Sequence, residues 1–150
     1  MEIREINTSR ESYMNLLLLA DPSEKLVRAY LERGYLFVLF DEDVVCGVIH
    51  LDPQDEGSIE IKNVAVAEPV QGRGLGTMLL HHAINFCRQK GYKKVIIGTG
   101  NSGIVTLYLY QKVGFRVVSI RRDFFVLHYD EPIFENGIQC RDMLMLEMLL

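Results

Sequence analysis

Ile59-Glu60-Ile61-Lys62-Asn63-Val64-Ala65-Val66 leads into Gln71-Gly72-Arg73-Gly74-Leu75-Gly76 and then into an amphipathic stretch that closes at Gly91. An apolar strand feeding a glycine-rich turn at a helix start is a way of holding phosphate. Glycine lacks a Cβ, so the backbone can come close to a ligand there. The first helical turn offers unpaired N–H groups and the positive end of the helix dipole to an anion. Arg73 adds a permanent positive charge suited to a phosphate oxygen. The stretch reads as a grip on a phosphorylated cofactor.

The remaining composition narrows what surrounds that grip. The chain has 150 residues, 49% hydrophobic and 24% charged, which predicts one continuous globular domain over residues 1–150. Net charge is −4 and pI about 5.6, so no basic field draws it to nucleic acid or an anionic membrane. Phosphates would be held by local geometry. Cys46, Cys87 and Cys140 are scattered, with neither a disulfide framework nor zinc spacing, and predict reduced thiols in a cytoplasmic protein. The charged opening Met1–Glu5 contains no run suited to a signal peptide or a membrane span.

Outward from the glycine turn, apolar periodicity predicts an alternating pattern. Glu2–Ile6 reads as a strand, and Glu11–Ala20 and Ser23–Arg33 as helices broken at Asp21-Pro22. Tyr35–Phe40, Val44–Leu51 and Ser58–Val66 read as strands, turning at Asp41-Glu42-Asp43 and at Pro53–Gly57. Beyond the turn, Leu75, Leu79, Ala83, Phe86 and Cys87 share one helix face, opposite Thr77, His81, Asn85 and Arg88. Lys94–Ile97 is a short strand, followed by a second glycine-rich loop over Gly98–Gly103 and a helix from Ile104 to Lys112, stopped by Gly114. Phe115–Arg121 reads as a strand and Met143–Leu149 as the last one, although its Met and Leu content would equally suit a helix. Arg122–Asp142 between them reads as a long loop of aromatics and acids, of the kind that is functional or mobile.

This order, with the glycine turn after the fourth strand, resembles the GCN5-related N-acetyltransferase superfamily over nearly the whole chain. Gln71-Gly72-Arg73-Gly74-Leu75-Gly76 matches that family's pyrophosphate signature: Gln or Arg, two residues, Gly, one residue, then Gly or Ala. Leu109-Tyr110-Gln111-Lys112-Val113-Gly114-Phe115, preceded by Asn101, looks like its Leu-Tyr-x-Lys-x-Gly-Phe helix ending. Competing phosphate folds fit less well. A dinucleotide fingerprint wants Gly-x-Gly-x-x-Gly beside a first strand with an acid about twenty residues on, and a P-loop wants Gly-Lys-Ser/Thr.

The resemblance implies an α/β (α+β) fold: a mixed, mostly antiparallel sheet of about seven strands, flanked by about four helices and splayed between its fourth and fifth strands. It implies acetyl-CoA as cosubstrate, lying in that gap with its pantetheine arm on Val64, Ala65 and Val66 as an added strand. The pyrophosphate falls on Gln71, Gly72, Arg73, Gly74, Leu75, Gly76 and Thr77, and Asn101 steadies the cofactor arm. The family's strand bulge corresponds to Ala65-Val66, with Asn63 as the break in alternation.

Acetyl transfer to an amine needs proton removal, stabilisation of the oxyanion and protonation of the leaving thiolate. Tyr110 fills the family's tyrosine position and is the candidate acid, with the backbone N–H of Val66 as the oxyanion donor. Glu60, eleven residues before Gln71, has the spacing of the glutamate base in this superfamily's histone acetyltransferases. Alternation also allows Glu60 and Lys62 to be a solvated face, and His50 and His128 are alternative bases. No residue pattern suggests a metal: His81 and His82 are adjacent on a helix and cannot share one from a single face. Asp130, Glu131 and Glu135, with Phe124, Phe125, Tyr129 and Phe134, suit an amine cation with an apolar body; they suit an acidic surface loop or a dimer contact equally.

The resulting expectation is an N-acetyltransferase acting directly on a primary amine of a small molecule or peptide. No cysteine stands as a convincing nucleophile, and only Cys140 is left open. A catalytically weak acyl-CoA-binding or sensing module is the rival reading, and transfer of a longer acyl group a third. The apolar end Met143–Leu150 is a candidate place for a homodimer contact.

Overall fold

The computed structural model describes all residues, 1–150. Its strands are β1 (Glu2–Glu5), β2 (Tyr35–Asp41), β3 (Val44–Pro53), β4 (Ser58–Val66), β5 (Lys94–Gly100), β6 (Arg116–Arg121), β7 (Ile133–Glu135), β8 (Ile138–Cys140) and β9 (Met143–Leu149). Its helices are α1 (Met14–Ala20), α2 (Glu24–Leu31), α3 (Leu75–Lys90), α4 (Ile104–Val113) and α5 (Phe124–His128). Local chemistry sets the ends of these helices. Ser23 caps α2 by accepting from the Leu26 N–H at 3.2 Å, and Gly91, at φ 88°, closes α3. No helix is long and apolar enough to cross a membrane.

Seven strands form one sheet in the order β1-β2-β3-β4-β5-β9-β6, antiparallel at every step except β4–β5. That parallel pairing covers only Ser58–Ile61 against Lys94–Ile97. Past Ile61 the two strands part, leaving Lys62 to Val66 on one side and Gly98 to Gly100 on the other. This is the expected splay. Helices α3 and α4 cover one face over a cluster of 18 buried apolar residues, and α1 and α2 cover the other over a cluster of 10.

The bulge that positions the fork falls just before Asn63, the expected break in alternation, and not at Ala65-Val66. In the β3–β4 ladder His50 pairs with Asn63 and Leu51 with Ile61, so Lys62 has no partner. One extra residue shifts the phase of alternation. Ile59 and Ile61, then Val64 and Val66, face the α3 side, while Asn63 and Ala65 turn towards α1 and α2. The strand therefore presents a different set of side chains above the fork from the set that strict alternation predicts.

Three further expectations are corrected. The Arg122–Asp142 segment is structured: it contains α5, a fifth helix where about four were expected, and the β7–β8 hairpin. That hairpin turns at Asn136-Gly137, with φ 55° and 73°, which is the strongest short hairpin signal a sequence carries. The second glycine loop is shorter than predicted, because Gly98, Thr99 and Gly100 extend β5 and pair with β9. Met143–Leu149 is an interior strand between β5 and β6, so the edge of the sheet on this side is β6, all of whose residues are exposed.

Candidate functional site

The fork opens into a cavity of about 320 Å³. One wall is the unpaired edge of β4, and its backbone polarity follows from the ladder. Ala67 donates to the Cys46 carbonyl at 2.8 Å, across towards β3. In an antiparallel pair such groups alternate between the two edges, so Val64 and Val66 turn theirs into the gap. Gln71 Nε2 donates to the Val66 carbonyl at 2.9 Å, tying the glycine turn to the strand end. The Val64 peptide and the Val66 N–H remain available to an added extended chain.

The turn itself has the predicted form. Gly72 and Gly74 sit at φ 81° and 79°, and a Cβ on either would meet no protein atom within 4 Å. The requirement for glycine is therefore conformational, and the space in front of the turn is open. Gly74 caps α3 without a side chain, and the first i→i−4 bond runs from the Met78 N–H to the Gly74 carbonyl at 3.1 Å. Leu75, Gly76 and Thr77 thus point unbonded amides along the axis of a helix of 16 residues. Arg73 is exposed beside them.

Tyr110 reaches the cavity from α4, buried to 5% exposure, with no protein partner for its hydroxyl. Burial pushes its phenol well above the ordinary value, so it is protonated at neutral pH. On β5, Thr99 Oγ1 lies 2.7 Å from Thr106 Oγ1, and Thr106 donates onward to the Gly103 carbonyl at 2.9 Å. Thr99 is therefore the donor in that pair.

The far end is built from two segments remote in sequence. Leu19 to Pro22, linking α1 to α2, faces Phe125, Tyr129, Ile133, Glu135 and Cys140 of the late insertion. Tyr129 donates to Asp21 Oδ1 at 2.8 Å and so joins them. Burial, then the adjacent Asp21, pushes the Tyr129 phenol up. Gly100 is required by this packing: a Cβ there would collide with Cys140 Sγ. Asp21, Lys62 and Thr99 were not among the predicted site residues, and Tyr129 was expected only as one aromatic of the acceptor loop. Asp21-Pro22 reads only as a helix break, and nothing in the sequence pairs it with Tyr129.

Several predicted residues lie elsewhere. Glu60 sits short of the fork, where β4 still pairs with β5 opposite Ile96, and Lys62 Nζ holds its carboxylate at 3.3 Å; it does not line the cavity. Asn101 fastens the insertion: its Oδ1 accepts from the Arg141 and Asp142 N–H groups at 2.7 and 3.0 Å, and its Nδ2 donates to the Gln139 carbonyl at 3.1 Å. These bonds hold its amide at the insertion, and it does not line the cavity. His50 is completely buried, bonded to the Arg33 carbonyl at 2.8 Å, and burial lowers its pKa to about 4. His128 stacks on Phe124 at 4.6 Å, outside the cavity. Asp130 and Glu131 are exposed and do not line the cavity; Glu135 does, accepting from Ser102 at 3.4 Å. Cys87 is a core thiol that burial raises to about 11.

Comparison with known proteins agrees with this geometry. A sequence model described as the acetyltransferase (GNAT) family matches residues 3–115. The chain is 50% identical to the uncharacterized N-acetyltransferase YvbK of Bacillus subtilis over 139 residues, 93% of this chain and 89% of that one. A GNAT family acetyltransferase from Elizabethkingia anophelis, solved with acetyl-CoA bound, superposes with a TM-score of 0.96 at 46% identity, covering 99% of this chain and 97% of that one. An IAA acetyltransferase from Bacillus cereus gives a TM-score of 0.93 at 45% identity, over 99% and 100% of the two chains. The chain belongs to the acetyltransferase (GNAT) family and is an acyltransferase.

Proposed function

We propose that the protein moves the acetyl group of acetyl-CoA directly onto a primary amine of a small molecule or peptide. The observation that carries this reading is the coincidence, in one cavity, of a free strand edge and a protonated tyrosine with no partner, with an open anion-binding turn following Gln71 at its edge. Acetyl-CoA is the cosubstrate. Its pyrophosphate sits on the Gly72–Thr77 amides beside Arg73, and its pantetheine adds to β4.

An arm entering from the turn passes Val66 before Val64, so its acyl end meets the Val64 N–H. That amide replaces Val66 as the oxyanion donor. The amine nitrogen bonds to the acetyl carbon and the C–S bond breaks. Sulfur takes the Tyr110 proton, and the surplus nitrogen proton returns to the phenolate through water. Glu60, engaged with Lys62 outside the cavity, takes no part in this scheme. We also propose cytoplasmic residence, from three free thiols, and a homodimer through the exposed β6 edge; light scattering that returns a monomer mass removes the dimer.

Thiol release from acetyl-CoA over an amine panel tests the reading. We expect turnover with an amine class, a fall in kcat of about a hundredfold in Tyr110→Phe, and Glu60→Gln within about twofold of wild type. Tight CoA binding, no acetylated amine and an unchanged Tyr110→Phe would establish the binding-module reading instead.

A further inference from the structure

The end of the cavity away from the glycine turn has an unequal balance of hydrogen-bonding groups. Its donors are engaged. Tyr129 donates to Asp21, and Lys62 to Glu60. Asn63 Nδ2 donates to the Leu17 carbonyl at 2.9 Å and to the Tyr30 hydroxyl at 3.0 Å. Two of its acceptors keep unused capacity. Asn63 is 4% exposed and lines the cavity, and its Oδ1 is buried with no partner. A carbonyl can only accept, so the bond to Leu17 fixes Nδ2 on that side and leaves the oxygen as the orphan atom.

Asp21, half-buried in the same wall, takes the Tyr129 hydroxyl and the Ser23 N–H on one oxygen, Oδ1, and no ion pair meets its charge. A carboxylate partly withdrawn from water without a counter-charge is unfavourable until a cation meets it. The missing partner is thus a donor with positive charge. Asn63 also adjoins Val64, where the transferred acyl group ends.

We propose that the acceptor binds as a protonated primary amine, its ammonium hydrogens on the Asp21 carboxylate beside Asn63 and its apolar body against Phe125 and Ile133. This rests on the amine-transfer reading above and adds its substrate class: a small cation, since the cofactor's thiol end occupies part of the same 320 Å³. The ammonium yields its proton to water before attack.

Asp21→Asn removes the charge while its amide oxygen still accepts from Tyr129 and Ser23, so the fold is kept. Phenylethylamine, protonated at pH 7, and aniline, neutral there, serve as probes. For phenylethylamine we expect kcat/KM to fall about tenfold or more through KM, with aniline within about twofold. Equal losses for both amines, or no loss for either, overturn the assignment. Calorimetry of phenylethylamine on the CoA-loaded protein separates the two readings. Binding that Asp21→Asn abolishes, in a wild type that acetylates no amine, upholds the ammonium seat and defeats acetyl transfer. No binding to wild type overturns the seat.

Discussion

From Asn63 to Thr77 one side of the cleft is assembled by a single unbroken segment, whereas the other side depends on a bond between Asp21 and Tyr129, 108 residues apart. The first region works through backbone: strand-edge groups at Val64 and Val66, and helix amides at Leu75, Gly76 and Thr77. The second works through side chains. Their supports differ too. The turn and α3 rest on the larger apolar cluster, while α1 and α2 rest on a smaller one flanked by buried polar groups, Arg10, His50 and Asn63. Arg10 donates to the Ile6, Leu31, Arg33 and Gly34 carbonyls at 2.8–3.1 Å, closing the end of α2. A cofactor with a constant phosphate-and-amide arm can be held by backbone. A chosen acceptor needs particular side chains, so the two halves can change separately.

The largest test of that separation is Gly74→Asp. A non-glycine at φ 79° is strained, and its carboxylate opposes the pyrophosphate. The KM for acetyl-CoA should rise about a hundredfold, with the amine KM almost unchanged; steady-state kinetics in both substrates reads both values.

A smaller effect concerns the polar support. His50 is held neutral, with its pKa lowered from 6.5 to about 4 by burial. Above pH 6.5 neither folded nor unfolded His50 is charged, and stability is independent of it. As pH falls from 6.5 to 4 only the unfolded chain takes up the proton, so stability drops by up to about 3 kcal/mol. Urea denaturation at pH 7.5 and pH 4.5 measures the loss, and His50→Gln should flatten it. An equal pH dependence in the variant would place the titration elsewhere. The smallest effect is the near-silent Glu60→Gln described above.

The same division decides what the sequence reveals. Apolar periodicity and the Gly72–Gly76 spacing are local, and they locate the strands and the anion turn; the fork is implied only by the family resemblance. The sequence places the break in alternation at Asn63, but its unpaired residue, Lys62, was not legible, because a charged residue in a strand reads as ordinary alternation. Asn136-Gly137 was legible as a hairpin, and the aromatic-acid mixture around it obscured the signal. Asn101, Asp21 and Tyr129 acquire their roles from partners distant in the chain. Asn101 joins β5 to the β8–β9 junction, and Asp21 joins the end of α1 to the insertion. No spacing rule in one sequence reports such pairs.

The most direct measurement is a side-by-side determination of both KM values in Gly74→Asp and Asp21→Asn. Two independent halves predict crossed results: the first variant loses affinity for acetyl-CoA alone, the second for the protonated amine alone. If each variant weakens both substrates alike, or Asp21→Asn weakens only acetyl-CoA, the division of the cleft into a backbone-built cofactor side and a side-chain-built acceptor side is wrong.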